Sequence, residues 1–157
     1  AWKNAGGNIE QAPRQYEPAV FKGQVRPDMF ASKDEVYASM ESKDVAIVNV
    51  LPPVSYEASH IPGSINVNCM ELMQGDFSHG FDTLLPNDEL ALRLKEVSQH
   101  KRIITYCGGG IAAAVNAAAH LLTGHKNVAV YDGSLYEWLG EKLPVIGTGK
   151  WEVWMQK

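Results

Sequence analysis

Ile104-Thr105-Tyr106-Cys107-Gly108-Gly109-Gly110-Ile111-Ala112-Ala113 is the stretch on which the reading of this chain turns. It opens with the end of a short run, Arg102 to Tyr106, whose apolar and β-branched side chains predict a buried strand. Three consecutive glycines break the chain. Ile111 to Leu122, with six alanines, restarts it as a helix that ends near Gly124. One cysteine therefore stands at a strand-to-helix turn.

Working outward, Val45 to Val50 is a second apolar run, ended by Pro52-Pro53. His60-Ile61-Pro62-Gly63 predicts a turn, residues 64–68 a strand, and Val128 to Tyr131 another strand, stopped by Asp132-Gly133. Ser32-Lys33-Asp34-Glu35 fits a capping box and opens a helix to about Ser42, with Val36 and Met40 on one face. Asn87 reads as the cap of a further helix, with Asp88 and Glu89 in its first turn and Leu90, Leu94 and Val97 along one stripe. Residues 74–85 read as a loop. This alternation predicts an α/β fold with a mostly parallel central sheet, helices on both faces and right-handed crossovers. Ligands of such sheets sit beyond the carboxyl ends of the strands, which is where Cys107 falls.

Glycines accept positive φ and have no Cβ, so the loop after Cys107 can curl tightly and turn successive amides inward as an anion cradle. The start of the following helix adds partial positive charge, and together they favour a thiolate. The same residues also fit a buried cysteine in a tight turn. Composition narrows the classes without choosing between these readings. With 157 residues and 45% hydrophobic side chains, the chain can build one core without staples. Two cysteines are too few for a disulfide framework or a four-cysteine zinc site, and the five histidines show no close ligand spacing. A net charge of −4 with no basic run gives no footprint for nucleic acid, and no apolar stretch is long enough to span a membrane.

The pattern Cys107-x-x-Gly110-x-x-Ala113 after a strand resembles the active-site loop of the rhodanese superfamily of sulfurtransferases. Tyr56-Glu57-Ala58-Ser59-His60-Ile61-Pro62-Gly63-Ser64-Ile65-Asn66 is similar to the family's aromatic-x-x-Gly-His-Ile-Pro-Gly-Ala-x-Asn signature, and Val128 to Trp138 to its closing strand, turn and short helix. The resemblance spans about residues 30–146. It implies a persulfide carried on Cys107, held by the amides of Gly108, Gly109, Gly110, Ile111, Ala112 and Ala113. No cofactor or metal enters this chemistry. The implied partners are a small-molecule sulfur donor and a thiol or cyanide-like acceptor. Phosphatase relatives have a longer loop ending in arginine, and neither feature is present here.

Two departures bear on the donor. Asn49-Val50-Leu51 stands where many family members have Asp-x-Arg, and the loop carries no basic residue. Charge-assisted hydrogen bonds are about twice as strong as neutral ones, so a donor less dependent on charge than thiosulfate is expected: a persulfide, a polysulfide or a mercaptopyruvate-like molecule. A non-catalytic rhodanese-like binding or regulatory module is the alternative. Cys69 is read as structural, with resolution of the persulfide as its other role.

The chain is divided as follows. Ala1 to Ile9 reads as the tail of a preceding rhodanese-like repeat, because Trp2 and Ile9 reproduce the spacing of Trp138 and Val145 at an offset of 136 residues. Residues 10–27, with Pro13, Pro18 and Pro27, read as an extended connector, residues 28–146 as the rhodanese-like domain, and residues 147–157 as a tail. Trp151 and Trp154 in that tail fit either packing back on the domain or contact with a neighbour. An upstream domain of the same chain is thus an expected partner. The compartment stays open, cytoplasmic ahead of periplasmic.

Overall fold

A computed structural model describes residues 2–76 and 80–148. In chain order the elements are α1 (Lys33–Ser39), β1 (Val45–Asn49), α2 (Pro53–Ala58), β2 (Ser59–His60), β3 (Ile65–Asn66), β4 (Met73–Asp76) and β5 (Gly80–Leu84). Then follow α3 (Asn87–Leu94), β6 (Arg102–Tyr106), α4 (Ile111–Leu122), β7 (Val128–Val130), α5 (Ser134–Gly140) and β8 (Ile146–Gly147). Four strands make a parallel sheet in the order β3-β1-β6-β7. Consecutive residues Ala46 to Asn49 and Ile103 to Tyr106 are all buried, so side chains on both faces of the sheet are covered. The α4 helix packs on β6 and β7, and α3 packs on α4 through Leu90, Leu94 and Ala119.

Half of the capping box forms: the Ser32 hydroxyl accepts from the Glu35 amide at 3.1 Å, while the Glu35 carboxylate, expected to reach back, accepts from the Arg102 guanidinium instead. That helix stops at Ser39 rather than Ser42. The strand expected over 64–68 is only Ile65–Asn66. Several elements were not expected, among them the short antiparallel pair of β2 and β8. Residues 53–58 form α2, because proline is compatible with the first helical turn, where its missing N–H has no partner to lose. Residues expected to be a loop form the β4–β5 hairpin, an antiparallel pair outside the main sheet with an irregular register between Met73 and Gly75. Asn87 lies inside α3 rather than capping it; the capping position belongs to Pro86.

Residues 11–26 have no regular structure, and the chain meets the domain at Phe30, which bridges Val130 on the outer edge of β7. The Ala31 amide donates to the Val130 carbonyl at 3.0 Å. Near the start of the chain stands a turn with a counterpart after α5. Trp138 Nε1 donates to the Pro144 carbonyl (2.7 Å), and Trp2 Nε1 to that of Asn8 (3.1 Å). Leu143 N donates to Trp138 O and Lys142 N to Leu139 O, matched by Gly7 N to Trp2 O and Gly6 N to Lys3 O. Lys142 (φ +58°) and Gly6 (φ +78°) share the left-handed conformation. Each partner is displaced by the same 136 residues. Trp151 and Trp154 lie outside the described residues.

Candidate active site

Cys107 follows the last residue of β6 and is 4% exposed. Tyr106 anchors the strand end directly before it. The phenol oxygen accepts from Ile61 N (2.9 Å) and shares a hydrogen bond with Ser64 Oγ (2.9 Å), and burial pushes its pKa up to about 12. The Ile61-Pro62-Gly63 turn is itself fixed: Gly63 has φ +77°, and a Cβ there would stand 2.1 Å from the Met40 carbonyl. His60 stacks on Tyr56 at 3.8 Å, with Nδ1 against the Tyr56 carbonyl (2.7 Å), a structural role in the same turn.

Gly108 and Gly110 are buried, and Gly109 is the exposed tip between them. Gly110 adopts φ +83°, and a Cβ on it would meet Asp132 Oδ1 at 2.4 Å, so only glycine fits. Ser134, the first residue of α5, closes the loop. Its hydroxyl accepts from the amides of Cys107 and Gly110, both at 3.1 Å, and donates to the Tyr131 carbonyl at 2.8 Å. Ser134 is fully buried and is held at φ +50°, a region that L side chains enter at a cost of about 1–2 kcal/mol.

The other polar groups of the loop sort by direction. Leu135 N donates to the Cys107 carbonyl (3.2 Å) and Tyr136 N to that of Gly108 (3.0 Å), so both carbonyls face α5. In a trans peptide N–H and C=O point opposite ways, which turns the amides of Gly108 and Gly109 away from α5. The Gly110 carbonyl accepts from Ala114 N (3.1 Å), leaving the first-turn amides of Ile111, Ala112 and Ala113 at the helix start. Among the described residues these five amides have no hydrogen-bond partner. The Gly110 amide, expected in the cradle, is instead spent on Ser134. What remains is a short arc of donors at a helix N-terminus beside a thiol, an arrangement that can hold a sulfur-borne negative charge.

Cys69 lies in the same core cluster as Cys107, and both thiols are free. Burial pushes the Cys69 thiol pKa up, and the neighbouring Cys107 adds to it. Asn49, in the position of the family's acidic residue, is fully buried, with Oδ1 accepting from Leu51 N at 2.9 Å. Among the described residues no cluster of His, Cys, Asp and Glu could hold a metal ion.

Sequence reasoning missed three contributors. Ser134 and Tyr136 fall inside the Val128 to Trp138 segment, which the sequence shows only as a closing strand, turn and short helix. Arg26 was assigned to the connector, yet it lines a cavity of about 420 Å³ beside the loop together with Phe30, Gly110, Ala114 and Asp132. The loop itself carries no cation, but the connector brings one near it.

This fold and loop define a rhodanese-like domain. The rhodanese-like domain family model matches residues 32–141, and the chain belongs to that family. Among curated proteins it is 28% identical to bovine thiosulfate sulfurtransferase over 155 residues, covering 91% of this chain and 51% of that protein. It is 32% identical over 156 residues to a probable 3-mercaptopyruvate sulfurtransferase of Schizosaccharomyces pombe, covering 85% and 50%. The chain thus spans about half the length of the curated relatives it matches. Solved structures agree in fold. The 3-mercaptopyruvate sulfotransferase SseA of Escherichia coli matches with TM-score 0.70 and 24% identity over 85% of this chain and 52% of that one. An anaerobic ergothioneine biosynthesis enzyme of Chlorobium limicola matches with TM-score 0.77 and 24% identity over 95% and 39%.

Proposed function

We propose that this chain is a sulfurtransferase domain that carries sulfane sulfur on Cys107. The observation that carries the reading is the loop from Cys107 to Ala113, with its cysteine at the end of β6, the Cys107 and Gly110 amides tied by Ser134, and five further amides of the loop and helix start without a hydrogen-bond partner among the described residues. In the first step the Cys107 thiolate attacks the outer sulfur of the donor. A sulfur–sulfur bond forms as the donor's own bond to that sulfur breaks, and the leaving group departs with the electron pair. The persulfide anion is held by the amides of Gly108, Gly109, Ile111, Ala112 and Ala113. An acceptor nucleophile such as a thiolate or cyanide then takes the outer sulfur, and Cys107 returns to the thiolate.

The loop holds no basic side chain, and Arg26 in the neighbouring cavity stands at Gly110, whose amide is already taken by Ser134; this supports a persulfide, polysulfide or mercaptopyruvate-like donor over thiosulfate, because amides with no cation among them bind a compact dianion less tightly. Mass spectrometry after treatment with each donor tests the reading. A one-sulfur adduct on Cys107, absent in Cys107→Ser and discharged by cyanide, is expected; no adduct with any donor sinks it. A second reading, a silent binding module, has one observation in its favour, the 4% exposure of Cys107. Iodoacetamide alkylation followed against pH separates the two, since a silent, buried thiol stays unreactive across the range.

We also infer that Ala1 to Ile9 closes a preceding repeat of the same fold, with the connector leading from it into the present domain. The matched hydrogen bonds of the Trp2 and Trp138 turns support this, as does the length of the relatives. The coding sequence upstream is expected to hold a β-branched strand and an acidic-glycine turn like Val128 to Gly133, immediately before Trp2. Its absence there overturns the inference.

A further inference from the structure

The chain has two cysteines, and the mechanism above uses one of them. The fold sets the other beside it, through Val50, the residue that follows β1. Val50 N donates at 3.0 Å to the carbonyl of Tyr106, directly before Cys107, and the Val50 carbonyl accepts from Cys69 N, also at 3.0 Å. Cys69 opens the short turn Cys69–Leu72 after β3, so the strand order β3-β1-β6-β7 puts it on the β1 side of Cys107. The α5 helix, which follows β7, lies on the other side. Gly108 and Gly109 turn their amides away from α5, and Cys69 therefore shares the cradle's side of the loop. Both cysteines belong to one buried cluster, and each is close enough to act on the other electrostatically: after burial, the neighbouring Cys107 is what raises the Cys69 thiol pKa.

Their spacing decides what chemistry joins them. Two strand spacings separate the backbones, about 9.6 Å, whereas a disulfide spans roughly 4.4–6.8 Å between Cα atoms. The two thiols are thus held apart from direct closure. A persulfide on Cys107 carries a second sulfur about 2 Å beyond the first, and that sulfur enters the gap. We propose that Cys69 is a second sulfur carrier, which takes the outer sulfur from the Cys107 persulfide and frees Cys107 to load again. This rests on the sulfur-transfer reading of Cys107. In the step, the outer sulfur of the persulfide anion takes the Cys69 thiol proton, and the Cys69 sulfur attacks that outer sulfur. A new sulfur–sulfur bond forms on Cys69, the bond to Cys107 breaks, and the electron pair leaves on the Cys107 sulfur. The proton stays on the transferred sulfur, so no oxidant or reductant is consumed. One negative charge is present throughout and ends beside the cradle amides, while burial keeps the group on Cys69 neutral.

The donors for the test are 3-mercaptopyruvate, glutathione persulfide and inorganic polysulfide. After each, the chain is desalted, alkylated and mapped by mass spectrometry. Wild type is expected to hold two sulfurs, one on each cysteine, with Cys107 loaded before Cys69 in quenched time courses. Cyanide discharge should then release twice the thiocyanate given by Cys69→Ser or Cys69→Ala, each holding one sulfur on Cys107. Cys107→Ser should carry none on Cys69. Sulfur confined to Cys107 in wild type, or a Cys69–Cys107 disulfide formed with release of hydrosulfide, overturns the relay and leaves the transfer reading standing. Cys69 loaded to the same extent in Cys107→Ser also overturns it, because the donor then reaches that thiol directly. No adduct on either cysteine with any donor fells the transfer reading and the relay together.

Discussion

The turns at Trp2 and Trp138 share three hydrogen bonds and one left-handed residue, yet Trp138 is fully buried and Trp2 is 69% exposed. Trp138 packs against Tyr37 and Tyr131, with ring centroids 6.2 Å away in each case. Trp2 has no such ring neighbours among the described residues and lies over its own Gly7. The local sequence is thus enough to shape the turn, and only a surrounding domain can bury it. Stability separates the two in the same way, since burial of the indole is the larger contribution.

The largest expected effect breaks the pair apart. Trp138→Ala should destabilise the chain by about 3–5 kcal/mol, as for other fully buried aromatic truncations, while Trp2→Ala should change stability by less than about 0.5 kcal/mol. Denaturant unfolding of the two variants measures this directly. Equal losses would mean that the Trp2 turn is packed into the domain after all.

Acid should act on the domain around Trp138 and spare the Trp2 turn. His120 is fully buried, and burial, reinforced by His125, lowers its pKa to about 4. The folded form therefore holds it neutral, while the unfolded chain takes up a proton below about pH 6.5. Stability is fully present above that value and is lost progressively as pH falls toward 4, by on the order of 3 kcal/mol. His120→Leu should flatten the fall in melting temperature between pH 7 and pH 4.5; an unchanged slope would assign the acid sensitivity elsewhere.

A smaller effect concerns what only the Trp138 turn is attached to. Ser134 lies four residues before Trp138 and ties two buried amides of the active-site loop. Ser134→Ala should cost about 1–3 kcal/mol by leaving those amides unpartnered. It should also slow Cys107 persulfide formation without displacing Trp138, as read by tryptophan fluorescence. Stability falling with transfer rate intact would leave Ser134 a purely structural tie.

Much of this was legible in the chain. The apolar runs of β1, β6 and β7, the glycine break and the alanine helix are local signals strong enough to place Cys107 at the carboxyl end of a parallel strand. The hairpin of β4 and β5 was not, because its residues include glycines and polar side chains and pair only with each other. α2 was hidden by Pro52-Pro53, which reads as a stop although proline also starts helices. Ser134 was the main loss at the site. Its role depends on a positive φ and on contacts 27 residues back along the chain, and nothing in the identity of a serine after Asp132-Gly133 announces either. The amide directions have the same origin: three glycines allow an inward cradle, but the carbonyl contacts to α5 decide which amides join it.

The bridge from Phe30 to Val130 has a consequence for where the domain can be cut. β7 is the outermost strand of the sheet, and Phe30 and Ala31, just before α1, cover part of its free side. A fragment starting after Ala31 would uncover amides and carbonyls along that side, a ready template for strand-to-strand growth between molecules. A fragment cut there is therefore expected to self-associate more readily than one that keeps Phe30 and Ala31, so the boundary for a well-behaved domain falls ahead of the first helix.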